Sequence, residues 1–287
     1  KLFDQAGIMS SRLLEATPFP DAPNVWEIPV DTSAVAEAAA IFAAASLENA
    51  YNDLRQSKEI HRHVVTEEGH AFFLKRMSDS WRSDLCWISP DDEATILVFD
   101  RIFRRLKVED RVAALIPHDS AVCVYSAQFL IRSWCGGTHF HTDYINDVGT
   151  HALTLITPFC DYEAADGFEL VYQPLTKADP QTPEDLILDE ILGTPQEEPK
   201  QYSYKHGKAI MFGASFLHST QPGSAANRPH VYLCFLVGTD RMQMWPAISA
   251  TNGGQCRVIA GPDGTVELTK LGRDLECKRN VLECERA

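Results

Sequence analysis

Positive charge is in deficit in this sequence: 26 Lys and Arg stand against 40 Asp and Glu, a formal net charge of −14. A nucleic-acid groove needs a basic stripe along one face, so DNA and RNA are excluded as expected partners. Long apolar runs are also missing. A membrane-spanning helix needs about 20 consecutive apolar residues, and the nearest approach, residues 34–47, carries Glu37 and is followed by Glu48. Its Ala-rich pattern suits an ordinary helix, and no membrane partner is expected. The eight cysteines include no Cys-x-x-Cys pair. Cys123 and Cys234 sit inside apolar runs, as buried free thiols do, so a reducing cytoplasmic or organellar interior is expected rather than a disulfide framework. There is no internal repeat, no low-complexity tract and no secretory signal. The chain starts at Lys1 rather than Met, which leaves a removed targeting peptide open.

What is present is enough apolar material for a full core, 45% of 287 residues, and one domain spanning residues 1–287 is expected. Its most informative string is His141-Thr142-Asp143, followed much later by His218 and, ten residues on, by Arg228. Two imidazoles and one carboxylate take one face of an octahedral metal and leave three positions open, the ligand set that suits non-haem Fe(II). His141 and Asp143 are i and i+2, so an extended stretch points both the same way, while His218 must arrive from another strand. An arginine beyond the last histidine can hold a carboxylate bidentately.

These residues resemble the Fe(II)/2-oxoglutarate-dependent dioxygenases over about residues 120–240. The surrounding segments are similar too. Residues 121–134 read as a strand pair entering the motif, and residues 152–159 as an apolar, Thr-bearing strand. Residues 166–172 read as a Gly-led strand, 207–212 as the strand before the distal histidine, and 228–237 as the strand after it. The resemblance implies an α+β chain with a mainly β core, a double-stranded β-helix (jelly-roll, cupin-like) barrel braced by N-terminal helices. Residues 1–118 would be support, 119–240 the core, and 241–287 a C-terminal hairpin and tail. The Pro-rich, acidic stretch 174–200 would be a lid-like insertion, with Thr182 and Pro183 starting a short helix.

The resemblance further implies that His141, Asp143 and His218 hold Fe(II), that Arg228 and Thr154 bind 2-oxoglutarate, and that O2 is co-substrate. An unactivated C–H bond would be oxidised, by hydroxylation, desaturation or cyclisation, with release of succinate and CO2. Asp143 argues against halogenation, since halogenating relatives lack that carboxylate. Candidates for pocket or substrate contacts are His139, Arg132, Gln128 and His230, with Tyr125 on the same strand as two of them. His230 stands where the family often has Ser or Tyr. The preferred substrate is a small molecule bearing a carboxylate; a protein side chain is the alternative within the family. His139-Phe140-His141-Thr142-Asp143 also resembles the metal motif of zinc-dependent metallo-β-lactamase-fold hydrolases, although Tyr144 follows where His is usual. A third reading is a cupin-like protein that binds metal without turnover. Composition says nothing of oligomeric state.

Outside the motif, strands are expected at residues 26–30 and 72–76, and helices from Ser33 to about Asp53 and from Asp91-Asp92-Glu93 to the basic run 101–107. In the second helix acidic start and basic end suit the helix dipole. Residues 261–264, Gly-Pro-Asp-Gly, signal a hairpin, and residues 271–287 a helix that packs on the barrel or on a second subunit.

Overall fold

A computed structural model describes residues 16–174, 198–225 and 228–286. The expected lid, with its Thr182 helix start, falls almost wholly outside the described residues. From the N-terminus, strands β1 (Thr17–Phe19) and β2 (Ala22–Pro29) lead into helices α1 (Thr32–Ala44) and α2 (Leu47–Gln56). Strands β3 (His61–Val65), β4 (Ala71–Arg76) and β5 (Cys86–Pro90) precede α3 (Glu93–Arg105) and α4 (Glu109–Leu115). The β-rich half then runs through β6 (Val122–Arg132), β7 (Trp134–Cys135), β8 (Ala152–Pro158), β9 (Leu170–Tyr172) and β10 (Lys200–Tyr202). It continues with β11 (Lys208–Phe212), β12 (His218–Thr220), β13 (Gly223–Ser224) and β14 (His230–Thr239). The chain ends with helix Trp245–Asn252, the hairpin β15 (Val258–Ala260) and β16 (Val266–Leu268), and helix Lys270–Arg286.

Nine strands form one antiparallel sheet in the order β1-β2-β11-β8-β14-β6-β5-β4-β3. A second sheet holds β10-β9-β12, and β7 pairs with β13. From β6 onward the chain shuttles between the large sheet (β6, β8, β11, β14) and the small ones (β7, β9, β10, β12). This is the path of a jelly roll, and it gives the expected mainly β core braced by N-terminal helices. The ladder does not close into a barrel among the described residues.

The central strands β6, β8, β11 and β14 of the large sheet are buried on both faces, and β8 and β14 read as continuous apolar runs rather than alternating ones. One face of these strands, with Phe129, Leu155, Leu233 and Phe235, packs with the helices: Phe42 of α1, and Phe99 and Phe103 of α3. Each such side chain contributes about 1.5–3 kcal/mol by leaving water. The other face presents Leu130, Ile156, Phe212, Tyr232 and Leu236, and the functional site lies over it.

Helix α1 starts where Asp31 accepts from the Ser33 N–H at 2.9 Å, and α3 where Asp92 accepts from the Thr95 N–H at 2.8 Å, both ordinary N-caps. The single helix expected from Ser33 to Asp53 is in fact two. Ser46 takes φ +51° and turns the chain, so that Leu47, Tyr51 and Leu54 of α2 can reach the core. The expected strand pair over 121–134 is one long strand, β6, with Trp134–Cys135 as a short return. Asp84 holds that corner: 8% exposed, it accepts from the N–H groups of Ser133 (3.0 Å) and Trp134 (2.9 Å) and from the Ser133 hydroxyl (2.6 Å).

Candidate metal centre and its cavity

His141 and His218 are brought together by the backbone itself. The His141 N–H donates to the His218 carbonyl at 2.9 Å and the His218 N–H returns the bond at 3.0 Å, an isolated antiparallel bridge. Residues that exchange both bonds lie directly opposite with side chains on one face, and the ring centroids are 4.6 Å apart. Asp143, two residues on from His141, points to the same side. Its Oδ1 is 3.7 Å from Nε2 of each histidine, and one ligand atom from each of the three lies within 4.8 Å of the others.

Hydrogen bonds fix which atoms face inward. His141 Nδ1 is 3.0 Å from the His139 carbonyl, and His218 Nδ1 is 2.9 Å from the Phe216 carbonyl. Each Nδ1 therefore carries the proton and donates, leaving Nε2 as a free lone pair. Thr154 of β8 donates to Asp143 Oδ2 at 2.7 Å, which turns Oδ1 toward the imidazoles. Burial pushes the His218 imidazole below its ordinary value, against the pull of Asp143; the neutral form that binds metals is the favoured one. His218 is 9% exposed and Asp143 16%, but His141 is 44% exposed. The group is closed behind and open in front, as a centre that must admit further ligands requires.

In front of it lies a cleft of about 110 Å³ that opens to solvent. Of the sequence candidates, Gln128, Arg132, His139 and Thr154 line this cleft together with the triad. Gln128 is 1% exposed; its amide donates to Gln255 at 3.2 Å while its own Oε1 has no partner among the described residues. His139 sets its ring 5.3 Å from that of Trp81 and does not join the metal-ligating group. Cys234, also on the wall, is held as a thiol because burial raises its pKa well above the usual value, so no thiolate competes.

Two expectations, those for Arg228 and His230, are corrected by placement. Thr154 lines the cleft and donates its hydroxyl to Asp143. Arg228 does not line the cleft: it is exposed, two residues before the start of β14, with its guanidinium 6.0 Å from the Tyr162 ring centroid. His230 is buried outside the cleft, stacked on Tyr162 at 3.8 Å and bonded to Asp166 Oδ2 at 3.1 Å. Tyr125 faces away as well, donating to the Thr239 carbonyl at 2.6 Å. Sequence reasoning passed over Thr220, which shares the face of His218 by strict alternation along β12. It also passed over Gln255, which no local signal marks.

Comparison with protein-family models and with curated proteins finds no match. Solved structures give likenesses of fold. The crystal structure of HygX from Streptomyces hygroscopicus with nickel and 2-oxoglutarate bound matches with a TM-score of 0.47 at 13% identity, over 76% of this chain and 83% of that one. The non-haem α-ketoglutarate-dependent epimerase SnoN from nogalamycin biosynthesis matches with 0.45 at 15% identity, over 76% of this chain and 79% of that one. A Pseudomonas putida prolyl-4-hydroxylase matches with 0.42 at 13% identity, over 75% of this chain and 92% of that one. The chemistry assigned to the site rests on its own geometry. Among the described residues no helix is long and apolar enough to cross a membrane.

Proposed function

We propose that the chain is an oxygenase that holds Fe(II) through His141, Asp143 and His218 and uses 2-oxoglutarate and O2 to oxidise a C–H bond of a small molecule. The observation that carries this reading is the orientation of the triad. Both Nδ1 atoms are committed to carbonyls and Asp143 Oδ2 to Thr154, so two imidazole nitrogens and one carboxylate oxygen converge on one point with their fourth side open to the cleft. Fe(II) and 2-oxoglutarate, when bound, would activate O2, the oxidant, one of whose oxygen atoms goes into succinate as CO2 is released.

The chain's own residues bind, orient and exclude water. Leu130, Ile156, Phe168 and Leu236 give the cleft apolar walls. The unpartnered Gln128 oxygen is a buried acceptor that a substrate hydroxyl or amine would satisfy. If the amide is turned over, Gln128 instead offers an unpartnered N–H, so one polar contact is open either way.

The test is anaerobic addition of Fe(II) and 2-oxoglutarate, watching for the weak visible charge-transfer band of the chelate, then admission of O2 with succinate as readout. The band should form in the native protein and vanish in His141→Ala. Absence of both band and succinate, with zinc retained through purification, would refute the reading in favour of a hydrolase.

A further inference from the structure

Arg132 is a buried cation without a counter-ion among the described residues. It ends β6 at 8% exposure and lines the cleft. One guanidinium nitrogen donates to the Thr220 hydroxyl, and Nε has no partner. Among the described residues no carboxylate lies within ion-pair distance of it, whereas Arg55, Arg62, Arg104, Arg105 and Arg257 each have one. A neighbouring acid, Asp166, is committed to His230 at 3.1 Å. A guanidinium held out of water with neither carboxylate nor full hydrogen bonding is costly unless something anionic completes it.

The register says how far this cation is from the triad. Thr220 lies two residues beyond His218 on β12, on the same face and about 6.6 Å along an extended strand. The guanidinium thus sits one side-chain repeat from the ligand face of His218, with Tyr204 and Tyr232 beside it on the cleft wall. This separation suits a dicarboxylate with one end on the metal and the other on the arginine.

We infer that Arg132, and not Arg228, receives the far carboxylate of 2-oxoglutarate, with the Thr220 hydroxyl holding the guanidinium in place. The inference rests on the oxygenase reading above and adds to it the residue that selects a five-carbon dicarboxylate over a shorter 2-oxo acid. The family pattern in sequence points to the arginine after the distal histidine. Here that arginine lies outside the cleft, against Tyr162, and the strand beside β14 supplies the charge instead, Arg132 standing directly across from His230.

The experiment measures binding of 2-oxoglutarate and of pyruvate, which lacks the far carboxylate, to the Ni(II)-loaded protein by calorimetry. The native protein should prefer 2-oxoglutarate. Arg132→Gln should raise its Kd at least about 100-fold and leave pyruvate unchanged, Arg132→Lys should recover part of the preference, and Arg228→Ala should match the native protein. Loss of the preference in Arg228→Ala, or its survival in Arg132→Gln, overturns the inference while the oxygenase reading stands. Failure of the native protein to bind either oxo acid sinks both. Should the Arg132 variants not fold, a crystal structure of the native protein with Ni(II) and 2-oxoglutarate decides it, by placing the far carboxylate on Arg132 or elsewhere.

Discussion

Replacing Thr154 by Val removes one hydroxyl and keeps the shape of the side chain, so its effect isolates a single hydrogen bond. Thr154 is 2% exposed on the central strand β8, and its Oγ1 donates to Asp143 Oδ2 at 2.7 Å. That bond stops the carboxylate from rotating and directs Oδ1 toward the two Nε2 atoms, each 3.7 Å from it. A hydrogen bond to a charged group contributes about 1.5–3 kcal/mol, and loss of a residue orienting a metal ligand weakens metal binding about 10–100-fold. The two ranges agree, since 1.4 kcal/mol is about tenfold. Thr154→Val should therefore bind Co(II) or Mn(II) about 10–100-fold more weakly than the native protein. The d–d bands of the Co(II) form should report a changed ligand field. Thr154→Ser, which keeps the donor, should restore most of the affinity. If the Val variant binds metal as tightly as the native protein, Thr154 does not position Asp143 and the logic of the site's orientation fails.

Further predictions concern the scaffold. Asp84→Ala removes the acceptor of two backbone N–H groups and the Ser133 hydroxyl at the end of β6; it should cost about 2–4 kcal/mol in urea unfolding. Gly238→Ala would place a Cβ 2.4 Å from the His151 carbonyl and 2.6 Å from the Tyr125 hydroxyl, so a drop of at least about 2 kcal/mol is expected by the same method. Asp240 accepts the Asp119, Ser120 and Ala121 N–H groups, above all that of Asp119, which holds its carboxyl down from 3.8 to about 2. Its contribution is fully present above about pH 4 and is lost as pH falls toward 2. Asp240→Asn should accordingly flatten the fall of Tm through that window, and an unchanged pH profile would count against the assignment.

The triad was legible because its chemistry is written locally: His-x-Asp fixes one face by alternation, and a distal histidine at a strand boundary completes a set with few other uses. The β-rich half was legible for the same reason, since apolar runs broken by Gly and Pro mark each strand. What escaped was set by contacts distant in sequence. Arg228 has the parity of an inward residue on β14, but the strand begins at His230 and the side chain is left outside. His230 was drawn away by Tyr162 and Asp166, which come from the loop after β8. The roles of Gln128 and Arg132 depended on which face of β6 met the cleft, and alternation alone gives only the grouping, with Tyr125 on the other side. The break of the first helix at Ser46 has no proline or glycine to announce it. It is imposed by packing, which turns α2 so that Tyr51 and Leu54 meet the core.

The mutual backbone bridge between His141 and His218 makes the metal a gauge of strand alignment. A slip of one residue between these segments would send one imidazole to the opposite face and dissolve the centre. A bound ion therefore acts as a stitch across two segments far apart along the chain, stabilising only the aligned state and by more as free metal rises. Metal should then leave with the opening of this edge, before the helix-backed sheet melts. Its off-rate, followed with a chromogenic chelator, becomes a clock for local unfolding at the mouth of the cleft.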